Sequence, residues 1–286
     1  MKYLMTIIHG MLIGIANIIP GLSGGTIAYM IGIYERFIGI LSNPKIILKE
    51  KKERNFIVTL GLGAVIGIII FSKVFMFILE HVSLKQHFYL FIVGTILGTI
   101  VYTMRTEKGY SISNFGIILF VIIVFALIDN IKPPFNSEVP EGVTDFLGFI
   151  KIAKVDPIYS VWLFICGLLA ASSMLLPGFS GSALLVSLGE YENIIGFIDV
   201  KALMIIQIAF VGCGAVVGIV FFSKLISKLM KKYKIQTIYV IIGLMITSIY
   251  KLFTEIWSDF IFSQIIISII ACIIGYFMAF LLSSKK

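Results

Sequence analysis

Two stretches of the sequence repeat one another: PGLSGGTIAYMIGIYE at 20–35 and PGFSGSALLVSLGEYE at 177–192. They align without a gap and match at proline, serine, tyrosine and glutamate, which chance similarity between apolar segments does not reproduce. A second match follows each stretch in the same order, GLGAVIGIIIFSK from Gly61 and GCGAVVGIVFFSK from Gly212. This order indicates that the chain consists of two repeats.

The composition of the 286-residue chain is that of a membrane protein. Hydrophobic residues make up 59%, charged residues make up 13%, and the mean hydropathy is +1.07. Because a soluble domain has about 25% charged residues to cover its surface, the composition excludes a soluble enzyme and a disordered chain. Glycine is abundant, as in membrane helices whose backbones approach closely.

We predict an all-α polytopic membrane protein made of two inverted-topology repeats, at 1–130 and 158–286. Each repeat begins with a helical hairpin that is broken at its tip by a Pro-Gly pair, and three transmembrane helices follow. The hairpin helices are short for a bilayer crossing, which favours re-entrant hairpins over full spans. The predicted segments are hairpin 4–41 with helices 56–79, 88–104 and 114–130, and hairpin 158–198 with helices 202–222, 237–250 and 259–282.

The lysine and arginine residues in the loops predict the orientation. We expect the basic loops 43–55 and 224–236 in the cytoplasm together with both termini, and the acidic linker 131–157 outside as a loop. Each repeat then crosses the bilayer an odd number of times, so the second repeat is inverted relative to the first, as in secondary transporters. The net charge of +8 reflects these cytoplasmic loops, and no segment forms a basic patch for nucleic acid.

The sequence contains no pattern typical of a cofactor, a metal or an enzyme. Cys166, Cys213 and Cys272 lie in apolar runs without zinc-type or disulfide spacing. A lipid phosphatase would need a nucleophile, a base and positioned cations, and the three histidines show no such spacing with the serines. We therefore expect a protein that is not an enzyme.

Hydroxyl residues and glycines follow each helix break. Serine is a favoured N-cap, and glycine leaves backbone amides accessible, so such a tip could bind an anion, most often phosphate. A tight turn with small residues for helix packing is the alternative for a single copy, but two related copies favour a ligand site. The candidate residues are Ser23, Gly24, Gly25 and Thr26 after Pro20-Gly21, and Ser180, Gly181 and Ser182 after Pro177-Gly178.

Four further polar residues lie near the predicted tips. Glu35 and Glu192 occupy matching positions, and they could be interfacial carboxylates or coupling sites for a proton or sodium ion. The second repeat has Met174 at the position of Asn17 and Asn193 at the position of Arg36. These differences could distinguish the two sides of transport. We include Asn17 and Arg36 as candidate substrate-binding residues.

Glycines and lysines also recur on the helices that follow the hairpins. Lys73 and Lys224 match, either as anchors that snorkel to the interface or as contacts to an anionic headgroup. The matching glycines predict small faces against which a hairpin could pack. They are Gly61, Gly63 and Gly67 in the first repeat, and Gly212, Gly214 and Gly218 in the second.

The motif NIIPGLSGGT with its GIYE tail, and the second Pro-Gly-x-Ser-Gly copy, resemble those of the bacterial polyprenyl-phosphate transporter family. The resemblance covers nearly the whole chain. It implies a plasma-membrane protein that flips undecaprenyl phosphate from the outer to the inner leaflet, so that this carrier lipid is recycled for peptidoglycan synthesis in the cell wall. The family's motif falls on Pro20, Gly21, Ser23, Gly24, Gly25 and Thr26, and on Pro177, Gly178, Ser180, Gly181 and Ser182.

Two functional hypotheses follow. The first is a lipid-phosphate flippase, in which the tips bind the headgroup while the tail stays in lipid. The second is a secondary transporter of a small soluble anion through the same pair of hairpins. The sequence leaves open the oligomeric state, the coupling ion, the chain length of the lipid, and whether the hairpins are re-entrant or cross the membrane fully.

Overall fold

The computed structural model describes residues 2–19, 22–128, 143–146, 150–153, 157–177, 181, 184–185, 188–197 and 203–284. Within these ranges the chain is predominantly helical, and six helices are long and apolar enough to cross a membrane. The chain is thus a polytopic helical membrane protein, as predicted. Pro20, Gly21, Gly178, Ser180 and Ser182 lie outside the described residues.

The first half of the chain contains seven helices within the described ranges. Their lengths differ because the hairpin is interrupted whereas the helices after the basic loop are continuous. They are α1 Lys2–Ile18, α2 Gly24–Met30, α3 Tyr34–Ser42, α4 Lys45–Lys49, α5 Lys51–Glu80, α6 Val82–Glu107 and α7 Ile112–Ile128.

The described part of the second half follows the same plan. The six candidate membrane spans include α8, which we assigned to the second hairpin, but α7 is shorter at 17 residues. A helix of that length covers about 25 Å, less than the roughly 30 Å of a bilayer core. The helices are α8 Pro157–Leu175, α9 Tyr191–Gly196, α10 Ile205–Lys232, α11 Lys234–Trp257 and α12 Ile265–Ser284, and the 3-10 turn Phe262–Gln264 precedes α12.

The linker departs from the loop we predicted. It contains β1 Val143–Phe146 and β2 Ile150–Ala153, which pair antiparallel, and β2 pairs in parallel with β3 Leu203–Met204. The predicted segment 202–222 therefore starts as a strand and continues as α10. The β-branched residues in these short runs favour strands, so the linker is not wholly a loop, whereas the candidate membrane spans are helical as predicted.

The returning limb of each hairpin is broken at a matching glycine. Gly32 has φ 77° and Gly189 has φ 74°, a left-handed conformation that glycine adopts without steric cost. The predicted apolar segment 23–41 is consequently two helices, α2 and α3. The same backbone hydrogen bond closes both breaks, from Ile33 N to Ala28 O and from Glu190 N to Leu185 O, each at 3.0 Å.

Each hairpin begins with a helix that packs against the long helix after the hairpin, α1 on α5 and α8 on α10. The contacts occur at matching glycines, where the carbonyl oxygen of the hairpin helix occupies the place that a Cβ atom would take. The pairs are Gly63 with Ile7 and Gly67 with Met11 in the first repeat, and Gly214 with Phe164 and Gly218 with Leu168 in the second. The side facing the hairpin is therefore small, as predicted.

Gly61 and Gly212 do not share this role. No atom lies within 4 Å of a Cβ built at either position, because each lies on the side of its helix that faces away from the hairpin. The prediction that all six glycines form the packing face was wrong for these two.

The remaining long helices pair across the two halves of the chain. Helix α6 packs against α12, and α7 packs against α11. In the first pair, Cβ atoms at Gly94 and Gly275 would overlap the carbonyl oxygens of Cys272 and Phe91. The buried Gln86 reinforces this pair, because its side-chain amide donates to Ser268 Oγ at 2.8 Å.

The glycine contacts give a matched test of helix packing. We expect Gly63→Ala and Gly214→Ala to lower the stability by about 1–3 kcal/mol, because the new methyl group meets backbone that cannot move aside. Gly61→Ala and Gly212→Ala should be neutral or stabilising by up to about 1 kcal/mol, since alanine is the better helix former. Thermal unfolding of the four purified variants in detergent measures the difference. Equal melting temperatures for Gly63→Ala and Gly61→Ala, or for Gly214→Ala and Gly212→Ala, would contradict this packing.

Candidate functional site

Ser23 organises the first hairpin tip as the N-cap of α2. Its Oγ accepts a hydrogen bond from the Thr26 amide at 3.2 Å and lies 3.0 Å from Thr26 Oγ1. Ser23 is 1% exposed and Thr26 is fully buried. The capping role predicted from the sequence is confirmed, and it places two hydroxyl groups together inside the protein.

Asn17 reaches the same tip from the end of α1. Its Oδ1 accepts a hydrogen bond from the Gly24 amide at 2.9 Å. A Cβ atom at Gly24 would lie 2.9 Å from that oxygen and from a methyl group of Ile13. The side chain of Asn17 thus holds the two limbs of the hairpin together, and the absence of a side chain at Gly24 makes room for it.

The first tip contacts the break of the second hairpin. The Ser23 hydroxyl donates to the carbonyl oxygen of Leu176 at 3.1 Å, and the Tyr34 hydroxyl donates to that of Leu175 at 3.1 Å. A Cβ atom at Gly25 would lie 2.8 Å from the Leu175 oxygen. These bonds satisfy carbonyl groups that the end of α8 leaves without helical partners.

The second tip is described in part. Pro177 is buried directly after the carbonyl groups that Ser23 and Tyr34 contact, and Gly181 is buried close to Met174 and the Ala170 carbonyl. Met174 stands where the first repeat has Asn17, so this tip lacks the side-chain amide that binds Gly24. The two tips are therefore chemically different although their sequences match.

Among the charged candidates, Arg36 pairs with a residue outside the tip contacts, and Glu35 lies at the protein surface. Arg36 makes a two-pronged ion pair with Glu53, with N···O distances of 2.9 and 3.1 Å, and its guanidinium lies 3.9 Å from the centre of the Phe56 ring. Glu35 is exposed in the first turn of α3. The side chain of Glu192 lies outside the described residues.

Glu190 is a buried carboxylate that our sequence analysis did not single out. It is 0% exposed, and it accepts hydrogen bonds from Tyr159 Oη at 2.8 Å, Trp162 Nε1 at 3.0 Å and Asn193 Nδ2 at 3.0 Å. A signal for it was present in the sequence, because Glu190 in the motif GEYE stands where the first repeat has the apolar Ile33. Neutral donors from α8 and α9 thus hold the returning limb against α8.

An apolar cavity of about 360 Å³ adjoins the contact between the tips. Leu176, whose carbonyl group accepts the Ser23 hydroxyl, forms part of its wall together with side chains of α7, α8, α10 and α11. Ser172 and Ser173 also line it, but their hydroxyls donate to backbone oxygens of Leu168 and Ala170. The wall is therefore apolar, and its volume is in the range of ligand pockets.

Among the described residues, no three His, Cys, Asp or Glu side chains lie close enough together to hold a metal ion. The polar groups of the described tip residues are instead hydroxyls, the side-chain amide of Asn17 and backbone groups. Such groups can bind an oxyanion by hydrogen bonds.

Comparison with known proteins identifies the family to which the chain belongs. A family model described as undecaprenyl phosphate translocase-like matches residues 13–269. The chain belongs to the undecaprenyl phosphate translocase-like family. This is a family of transporters and not of enzymes, as the sequence predicted, and its match begins within α1, includes both Pro-Gly motifs and ends within α12.

Two bacterial relatives are similar along most of their length. A polyprenyl-phosphate transporter of Vibrio cholerae is 28% identical over 91% of this chain and 80% of its own. A polyprenyl-phosphate transporter of Staphylococcus aureus is 27% identical over 96% of this chain and 94% of its own. No solved structure matches the chain.

Proposed function

We propose that this protein flips undecaprenyl phosphate from the outer to the inner leaflet of the bacterial plasma membrane, so that the carrier lipid is reused in cell-envelope synthesis. Family membership and the names of both relatives support this substrate. The observation that carries the proposal is the hydrogen bond from the Ser23 hydroxyl to the Leu176 carbonyl oxygen, which joins the two hairpins beside an apolar cavity.

The substrate combines a compact anion with a long apolar tail, and the site offers both environments. Hydroxyls of Ser23 and Thr26 and the glycine backbone would bind the phosphate, together with the matching residues Ser180 and Ser182. The cavity behind Leu176 would hold part of the tail, because burial of apolar surface needs no specific partner. The remainder of the tail can stay in the surrounding lipid.

Substrate binding and hairpin separation are coupled in this mechanism. The Ser23 hydroxyl has one proton, which it donates to Leu176. A phosphate oxygen that accepts this proton must replace the Leu176 carbonyl, and the contact between the tips is then lost. Binding therefore favours a state in which the hairpins have moved apart, as alternating access requires.

We propose that the two repeats are inverted relative to one another and that their hairpins are re-entrant. Matching glycines make matching contacts in both halves, and both returning limbs turn at a left-handed glycine, which supports a common structural unit. The basic segments 43–55 and 224–236, which we predicted as loops, are largely helical, because α4 and α5 cover most of the first and α10 and α11 most of the second. They would lie in the cytoplasm with both termini, and the linker would lie outside. The tips would then approach one another from opposite faces.

Coupling to an ion would drive the inward movement of the anion. An inside-negative potential of about 100 mV opposes each inward negative charge by about 2.3 kcal/mol, and a proton or sodium ion that moves with the substrate offsets this cost. We retain Glu35 and Glu192 as the coupling candidates, because they occupy matching sequence positions in the two repeats. The fixed hydrogen bonds of Glu190 suit a structural role instead.

The first prediction concerns the tip. Ser23→Ala should slow headgroup movement in reconstituted vesicles about tenfold, which is the typical value of one hydrogen bond to a charged group. Gly24→Leu should abolish movement, because its side chain displaces Asn17 and fills the site. Ser72→Ala is the matched control for the serine variant, because the Ser72 hydroxyl donates to the Ile69 carbonyl within α5. Gly39→Leu is the control for the glycine variant, because no described atom lies within 4 Å of a Cβ atom at this position.

The same vesicles separate the two hypotheses. Folded tip variants that still move undecaprenyl phosphate at the normal rate would refute the tip model. Uptake of soluble inorganic phosphate by the wild type, without lipid movement, would instead establish a transporter of small anions.

The second prediction concerns orientation. After replacement of the three free cysteines, we expect Lys231→Cys to be protected in intact cells from a thiol reagent that cannot cross the membrane, and Glu141→Cys to be labelled. Both should react after permeabilisation. Labelling of Lys231→Cys in intact cells would contradict the proposed topology.

The third prediction concerns coupling. Glu35→Gln and Glu192→Gln should flatten the dependence of transport on pH more than they weaken substrate binding, because the amide cannot exchange a proton. The exposed Glu80→Gln serves as the control, and Glu190→Gln should chiefly lower the melting temperature. Transport rates measured between about pH 5 and pH 8, around the second ionisation of phosphate near pH 6, give the profile. Unchanged profiles in both variants would remove these carboxylates from the mechanism.

A further inference from the structure

A second cavity, which is polar and has a volume of about 550 Å³, lies between the end of α3 and the last turns of α10. We call it the basic cleft. Its wall contains four lysines and two serines and no carboxylate, so its charge is strongly positive. The lining residues are Ser42, Lys224, Ser227, Lys228, Lys231 and Lys232.

The lysines form one stripe along α10. Lys224, Lys228 and Lys231 follow a spacing of four and three residues, which places them on a single helix face. Like charges at this spacing destabilise a helix. None of the four lysines has a salt-bridge partner among the residues that the structure describes, whereas Lys85 and Lys234 do. The stripe thus carries an electrostatic cost that an anion in the cleft would offset.

Two ordinary explanations account for part of this charge. The cytoplasmic ends of membrane helices attract lysine, and Lys231 and Lys232 complement the dipole at the end of α10. The helix dipole does not explain Lys224 and Lys228, which lie more than one turn before the helix end. Neither explanation accounts for the fact that the lysines share a concave wall with two serines, one from another helix.

The corresponding helix of the first repeat lacks the stripe. Lys73 matches Lys224, but Phe77, Glu80 and His81 stand where α10 has its three other lysines. In the proposed topology the end of α5 lies outside and the end of α10 lies inside. The difference between the repeats therefore places the positive site on the side to which the substrate is delivered.

We propose that the basic cleft binds the phosphate group of the lipid phosphomonoester when it arrives in the inner leaflet. A phosphomonoester carries a charge of about −1.5 to −2, which suits four lysines better than the single charge of a phosphodiester lipid. Basic pockets at the cytoplasmic side of membrane helices bind phosphorylated lipid headgroups. This inference rests on the proposed function and adds a delivery site to it.

Helix α3 connects the delivery site with the tip. It begins at Tyr34, which binds the Leu175 carbonyl of the second hairpin, and it ends at Ser42 in the cleft. It also packs against α10 along its length of about 13 Å. A headgroup released between the hairpins can therefore reach the lysines along one continuous helix.

The experiment counts bound lipids on the purified full-length protein by native mass spectrometry with undecaprenyl phosphate as the probe. We expect two sites in the wild type, and one in the Lys224→Gln/Lys228→Gln variant, whose cleft affinity falls roughly 30-fold. Lys49→Gln/Lys51→Gln, which removes the same charge from an exposed stretch outside the cleft, should keep both. Gly24→Leu should keep the cleft site and lose the tip site.

The outcomes separate the possible ligands. Unchanged binding of undecaprenyl phosphate to the cleft variant would overturn the proposal. The proposal would also be overturned if the cleft variant lost binding of phosphatidylglycerol alone. The same holds if inorganic phosphate bound the cleft as tightly as the lipid does. Failure of the proposed function is distinct, because it appears as the lack of undecaprenyl phosphate movement by the wild type in vesicles and does not depend on the lysine variants.

Discussion

Close contact between helix backbones at glycine is the interaction on which the arrangement of this protein depends. In a bilayer, helices gain little from burying apolar side chains against one another, so association relies on packing and interhelical polar contacts. Gly63 and Gly214 let a hairpin helix lie directly on the long helix that follows it. Each hairpin is thereby fixed at its first helix, and its tip is free to contact the other half.

The tip region then combines two constraints that oppose each other. Buried backbone groups need hydrogen-bond partners, and Asn17, Ser23 and Tyr34 supply them to Gly24, Leu176 and Leu175. A ligand site needs groups that can change partner. Hydroxyls meet both needs because they can exchange one acceptor for another, whereas a fixed ion pair such as that of Arg36 with Glu53 cannot do so cheaply.

The sequence predicted those features that depend on local chemistry. Composition and repeats indicated the class of the fold, and the serine after each break predicted the capping of α2. Features that depend on tertiary contacts were not accessible. The sequence does not show that Arg36 pairs with Glu53, that Glu190 is surrounded by donors from α8, or that Gly61 faces away from the hairpin. The break at Gly32 was missed because apolar residues continue through it, and a left-handed glycine leaves no mark in hydropathy.

The pairing of α6 with α12 determines when the protein can complete its fold. Gln86 and Ser268, which hydrogen-bond across this pair, are 182 residues apart in sequence. At a synthesis rate of about 5–20 residues per second, α6 waits roughly 10 to 40 seconds for its partner. During this interval the glycine face of α6 and the amide of Gln86 are in the membrane without their final contacts. The nascent chain must therefore rely on lipid or on the insertion machinery to shield them until its last helix enters the bilayer.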